Sequence, residues 1–164
     1  MALSMSIALI TQQAVYGAIA AAGFAVLFNI SAGALPWCAA SGALALAVRS
    51  CCQGLGWSLE GASFAAALGV GAAVQLLRSR IDMSETALDV VGSIPMVPGS
   101  FAAKAIVGLF ATATSSVISD SQTLITAVQY TLRVMFIIGA IGTGLAIPSL
   151  LGRVRNSRAA RLEV

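Results

Sequence analysis

The chain has 164 residues, 59% of them hydrophobic and 9% charged, with a formal net charge of +3 and no histidine. Soluble domains carry about 25% charged residues, so these side chains cannot cover a water-soluble globule. The composition excludes a soluble enzyme, a disordered segment and a nucleic-acid-binding protein. It predicts an all-α, polytopic integral membrane protein that forms a single transmembrane domain over residues 1–164.

No charged side chain occurs from Met1 to Val48, and the first is Arg49. One membrane helix needs about 20 apolar residues, so this stretch has room for two. The first is predicted over residues 7–30. The stretch before it, Met1 to Gln13, has no basic residue and does not read as a cleaved signal peptide. Asn29, Ser31 and Gly33 make a turn, and Pro36 restarts the chain. The second helix covers residues 35–52 and carries Arg49 near its end, where a long side chain can snorkel to the interface. Gln53 to Gly56 is a turn. The third helix covers residues 57–80; Trp57 suits an interface, and Arg78 and Arg80 stop it.

The next stretch, Ile81 to Asp89, holds Asp82, Glu85 and Asp89. It reads as an interfacial turn and an acidic helix start, since acidic side chains favour helix N-termini. From Val90 to Ser119 the only charge is Lys104. A straight helix of that length would span about 45 Å, more than a hydrocarbon core of roughly 30 Å. Pro95, Pro98 and Gly99 interrupt it, because proline lacks the backbone donor a helix needs. A discontinuous segment, one broken crossing or a re-entrant pair, is therefore predicted over residues 88–112, and a last helix over residues 122–151 with Arg133 inside it and Pro148 near its end. Residues 152–164 form a basic tail with Arg153, Arg155, Arg158 and Arg161, closed by Glu163.

The tail and the Arg78/Arg80 pair should both be cytoplasmic. Five crossings put the N-terminus outside; four, with residues 35–52 re-entrant, put it inside, and five is the favoured count. Small-residue stretches such as Ala20–Gly23, Gly69–Ala73 and Gly139–Gly144 allow close helix packing within the chain or against a partner. No soluble domain accompanies the apolar block, which points to a partner subunit.

Catalytic chemistry finds little purchase. No histidine can serve as a base for a nucleophile. No phosphate loop or dinucleotide fingerprint is present, so no cofactor is expected. Cys38, Cys51 and Cys52 form no CxxC, and neither a metal nor a redox role follows. The chemistry that remains is charge within apolar segments. Lys104 and Arg133 would each cost about 2.5–3.5 kcal/mol at mid-bilayer, so they are expected to face a cavity or a buried partner. With no acid expected at mid-membrane, two cations favour a carboxylate-bearing solute. Pro95, Pro98, Gly99 and Ser100 add a helix break of the kind that lines transport pathways, with the amides at Gly99 and Ser100 opening the second half-helix. Arg49 and Glu60 flank one turn and read as a structural ion pair or a gate contact.

The segments Gly23-Phe24-Ala25-Val26-Leu27-Phe28-Asn29 and Leu35-Pro36-Trp37-Cys38, with Arg49, Glu60 and Phe64, resemble the opening of the small YjjB-type membrane subunits of the threonine/serine exporter (ThrE) family. Ile94-Pro95-Met96-Val97-Pro98-Gly99 is similar to that family's central proline motif, and Gly144-Leu145-Ala146-Ile147-Pro148 to its closing helix. The resemblance covers essentially the whole chain. It implies a five-helix half-transporter in the inner membrane of a bacterium, working with a larger YjjP-type partner subunit. It also implies export of succinate, or of threonine and serine as in fused relatives. The roles of Lys104 and Arg133 rest on their own chemistry and not on the resemblance.

The expected function is therefore that of a small subunit in a two-component secondary exporter for a small carboxylate, with succinate first and threonine or serine as the alternative. A homo-oligomer is also open. A structural subunit without substrate contacts and a holin-like pore former are the competing classes.

Overall fold

The computed structural model describes residues 2–77, 84–114 and 121–162. Among them the chain is helical with no strand, as expected of a lipid-embedded chain, where a helix satisfies its own backbone. The helices are α1 (Ala2–Leu27), α2 (Leu35–Gly54), α3 (Leu59–Leu77), α4 (Glu85–Ser93), α5 (Gly99–Thr114) and α6 (Ser121–Leu162), with short 3₁₀ turns at Ala32–Ala34 and Ile94–Met96. Four stretches are long and apolar enough to cross a membrane: Ile7–Leu27, Ala32–Gly54, Leu59–Leu77 and Gln122–Gly152. Counting Glu85–Met96 with Gly99–Thr114 as one broken span gives up to five. The protein is thus an all-α polytopic membrane protein.

Local chemistry sets the helix ends. α1 stops where Asn29 adopts φ 55°; its N–H donates to the Val26 carbonyl, and that of Ile30 to Ala25. This left-handed closure satisfies carbonyls the helix leaves open, and asparagine tolerates it better than most residues. Gly56, at φ 86°, ends α2 the same way, with its N–H on Gln53 and that of Trp57 on Cys52. Pro36 sits in the first turn of α2, where its missing donor costs nothing. Ser58 and Ser84 cap α3 and α4 by accepting from the N–H groups of Gly61 and Ala87.

The chain divides into two compact units, residues 1–96 with 140–164 and residues 97–139. In the larger unit α1, α2, α3 and α4 pack on one another, and glycines set the approach. A Cβ on Gly42 would lie 2.5 Å from the Cβ of Ala21 and against the Gly17 carbonyl, so the α1–α2 contact is backbone to backbone. Gly144 of α6 meets Ala67 and Phe64 of α3 in the same manner, and Gly71 of α3 sits under Pro148. The Gly17–Gly42 contact lies outside the small-residue stretches singled out in the sequence. Gly23, Gly139 and Gly142, which lie inside them, have nothing within 4 Å of a would-be Cβ.

Gly42→Leu should therefore lower the folding stability of the detergent-solubilised protein by about 1–3 kcal/mol, the usual cost of overpacking. Gly23→Ala should leave it unchanged. Thermal unfolding followed by size-exclusion profile checks both.

Two sequence expectations need adjustment. The last helix does not end near Leu151 but continues through Pro148 to Leu162, taking the backbone of Arg153, Arg155, Arg158 and Arg161 with it. Asp89 is not at an interfacial helix start. α4 begins at Glu85, and Asp89 lies a turn inside it, only 7% exposed, so the chain does hold an acid in the packed interior of an apolar segment. Residues 35–52, a crossing in the favoured five-span arrangement, lie in a helix long enough to span. Arg78, Arg80, Asp82 and Glu163 lie outside the described residues.

Candidate solute pathway elements

In the smaller unit, α5 and the first part of α6 run antiparallel. Gly108 faces Ala127, with a would-be Cβ only 2.8 Å from the alanine's, so the two backbones approach closely there. One helical turn on, Lys104 Nζ lies 5.5 Å from the centroid of the Tyr130 ring. A further turn on, the Arg133 guanidinium lies 5.0 Å from the centroid of Phe101. The two rings are themselves 5.7 Å apart. The cations predicted from the sequence thus come together on one helix–helix seam, each held over an aromatic ring supplied by the other helix. Such a contact contributes about 0.5–2 kcal/mol, more when dry, and it helps fix the position of the charge.

Lys104 also lines an open groove of about 200 Å³ with Gln122, Thr123, Thr126 and Tyr130. The lining combines amide, hydroxyl and phenol groups with one ammonium. Thr126 donates its hydroxyl to the Gln122 carbonyl, so its oxygen lone pairs remain available to a donor.

The proline motif serves as a joint. Pro95 lies in the 3₁₀ turn Ile94–Met96, and Gly99 opens α5 as expected. The Gly99 N–H is taken by the Val97 carbonyl at 2.9 Å, and Pro98 accepts from Phe101 and Ala102. The break is therefore a hydrogen-bonded turn, and the Gly99 amide is already used. Ser100 follows in the first turn of α5.

Within the larger unit Arg49 does something the sequence did not show. Its Nη1 donates to the carbonyl of Met96 at 2.9 Å, across 47 positions of chain. The Gly99 N–H is on the Val97 carbonyl, so an α2 side chain supplies the Met96 carbonyl with a donor at the break. Glu60, in the first turn of α3, lies within electrostatic reach of Arg49.

Asp89 is the residue that sequence reasoning missed. Gly92, three positions on, packs against Ser41 of α2 and Val70 of α3, which puts this stripe of α4 on the bundle interior. Oδ1 of Asp89 is buried without a hydrogen-bond partner among the described residues.

Cys38 is buried, as a packing residue should be, while Cys51 is exposed; none of the three cysteines is in a disulfide. A sequence model described as threonine/serine exporter, ThrE, matches residues 13–151. The chain belongs to the threonine/serine exporter (ThrE) family. That match includes Asn29, Arg49, Glu60, Asp89, the proline motif, Lys104 and Arg133. The family is one of transporters, so transport across a membrane is the function class. No solved structure matches the chain.

Proposed function

We propose that this chain is the small subunit of a two-component secondary exporter for a small carboxylate, with a dicarboxylate such as succinate as the first substrate. The observation that carries the reading is the seam of α5 and α6, where Lys104 and Arg133 are held by aromatic faces and Lys104 borders an open groove of mixed polar and apolar lining. Two fixed cations match two carboxylates, and a guanidinium offers a carboxylate a bidentate fork. A structural role for Lys104 alone would not require a groove beside it. Lys104, Arg133, Pro98, Gly99 and Ser100 would contribute to the pathway within the smaller unit; Pro95 and Arg49 would set the joint that α5 follows, and Glu60 would steady Arg49. The partner is a larger membrane subunit of ThrE type, the membrane the inner membrane of a bacterium, and the basic end of α6 faces the cytoplasm.

Export of threonine or serine is the second reading. The family description favours it, and Asp89 supplies an interior carboxylate that the charge pattern alone did not suggest.

The test is efflux from proteoliposomes holding this chain and its larger partner, loaded in turn with labelled succinate, threonine and serine. Succinate efflux that needs both subunits is the expected result. Efflux of threonine or serine without succinate would transfer the proposal to the second reading. Equal efflux with the partner alone would overturn a role for this chain in the pathway.

A further inference from the structure

A charged group in the middle of a helix bundle normally has a partner, because burying an isolated charge costs far more than one hydrogen bond returns. Asp89 departs from that pattern. It is 7% exposed, and its Oδ1 is buried with no hydrogen-bond partner among the described residues. The hydroxyl donors nearest along its packing face are committed elsewhere: Ser93 donates to the Val90 carbonyl and Ser41 to the Cys38 carbonyl, both at 2.8 Å. Its neighbours Leu88, Val91 and Gly92 on α4 are buried as well.

Among the described residues, the charged and titratable groups on the packed elements leave Asp89 without a counter-ion. On α4 itself, Glu85 lies one turn away and accepts from Gln75 Nε2 of α3 at 2.6 Å; being an acid, it disfavours a second negative charge nearby. On α2, Arg49 is bonded to the Met96 carbonyl and Cys38 is a buried thiol. The described part of α3 contributes Glu60, and α1 contributes Tyr16, which is exposed.

We propose that Asp89 is the proton-carrying site of the transport cycle, neutral while α4 is packed as described and ionised when it meets water. The neutral acid removes the buried charge and gains an O–H that a helix carbonyl can accept. In the ionising step the acid's O–H bond breaks. The proton passes to a water molecule on one side of the membrane, and the bonding pair stays on the carboxylate. A hydronium ion on the other side restores the acid. A proton fits where a metal ion does not: hard cations require a shell of several oxygens, and among the described residues no cluster of three or more His, Cys, Asp or Glu could hold one. The inference rests on the exporter reading and assigns something that reading leaves open, the residue that carries the proton.

Two measurements on the full chain decide it. Infrared titration of the wild-type protein in liposomes should show a protonated carboxylic C=O band persisting well above the ordinary carboxylate range. The band should vanish in Asp89→Asn and remain in Glu85→Gln. Reconstituted with the larger subunit, Asp89→Asn should lose accumulation of labelled succinate driven by an imposed pH gradient, by roughly tenfold or more. It should keep gradient-free succinate exchange, because asparagine imitates the neutral acid, and Asp89→Glu should restore the driven flux. A carboxylate ionised at neutral pH overturns the proposal. So does an Asp89→Asn variant that still accumulates solute on a pH gradient. If the wild-type pair moves no succinate, threonine or serine, the exporter reading fails while the infrared titration still decides whether Asp89 holds the proton.

Discussion

Replacing Arg133 or Lys104 by alanine should cut carboxylate efflux by about ten- to a hundredfold while leaving the protein folded. The first half of that expectation follows from what the cations would do. A charge-assisted hydrogen bond to a carboxylate contributes about 1.5–3 kcal/mol, and each 1.4 kcal/mol is about tenfold in rate. The second half follows from where they sit. A cation in an apolar helix costs about 2.5–3.5 kcal/mol at mid-bilayer, and the aromatic contact of Lys104 offsets only part of that. Removing Lys104 should therefore leave thermal stability unchanged or raise it. Arg133→Lys should recover part of the flux, because lysine keeps the charge but loses the planar fork. Efflux from reconstituted vesicles, read beside a thermal melt, separates the two effects. Flux that survives both alanine changes would assign the seam a packing role only, and a fall in stability matching the fall in flux would do the same.

That seam was partly legible in the sequence. Phe101 stands three residues before Lys104, and Tyr130 three before Arg133. Each helix thus presents an aromatic and a cation on one face, and an antiparallel pair can only satisfy that pattern by crossing them. The cations were visible as isolated charges; the cross-pairing required the register between α5 and α6, which depends on the Gly108–Ala127 contact. Turn chemistry was more legible. Asn29, Gly56 and the Pro95–Gly99 motif impose their conformations on the backbone whatever surrounds them.

Asp89 was hidden for the opposite reason. Beside Asp82 and Glu85 it looks like one more acid at a helix start, and only the packing of α4 on both α2 and α3 takes it out of water. Pro148 misled in a similar way. In isolation it ends a helix, yet α6 runs on through it, with the proline ring seated over Gly71 of α3. Tertiary contact overrides the local signal at both positions.

Arg49 gives the second large expectation, and its range of 47 positions explains why no sequence pattern revealed it. Arg49→Leu should abolish transport at normal expression. The Met96 carbonyl has no amide partner at the proline break, and in an apolar setting an acceptor left unsatisfied costs about 1–3 kcal/mol. The chain can regain that energy only by rearranging the 3₁₀ turn that leads into α5. The damage should therefore appear as altered protease or thiol accessibility at Val97–Ser100, read from single cysteines placed there, and not as general unfolding. Arg49→Lys should preserve most of the flux, since an ammonium can still donate to one carbonyl. Arg49→Gln should be intermediate, because it keeps a donor and loses the charge that Glu60 attracts. Glu60→Gln then separates the two functions of the arginine. If Arg49 acts through its bond to Met96, Glu60→Gln transports nearly as well as wild type. If Arg49 works as half of a gate with Glu60, removing that charge costs as much flux as Arg49→Gln, and the joint reading fails.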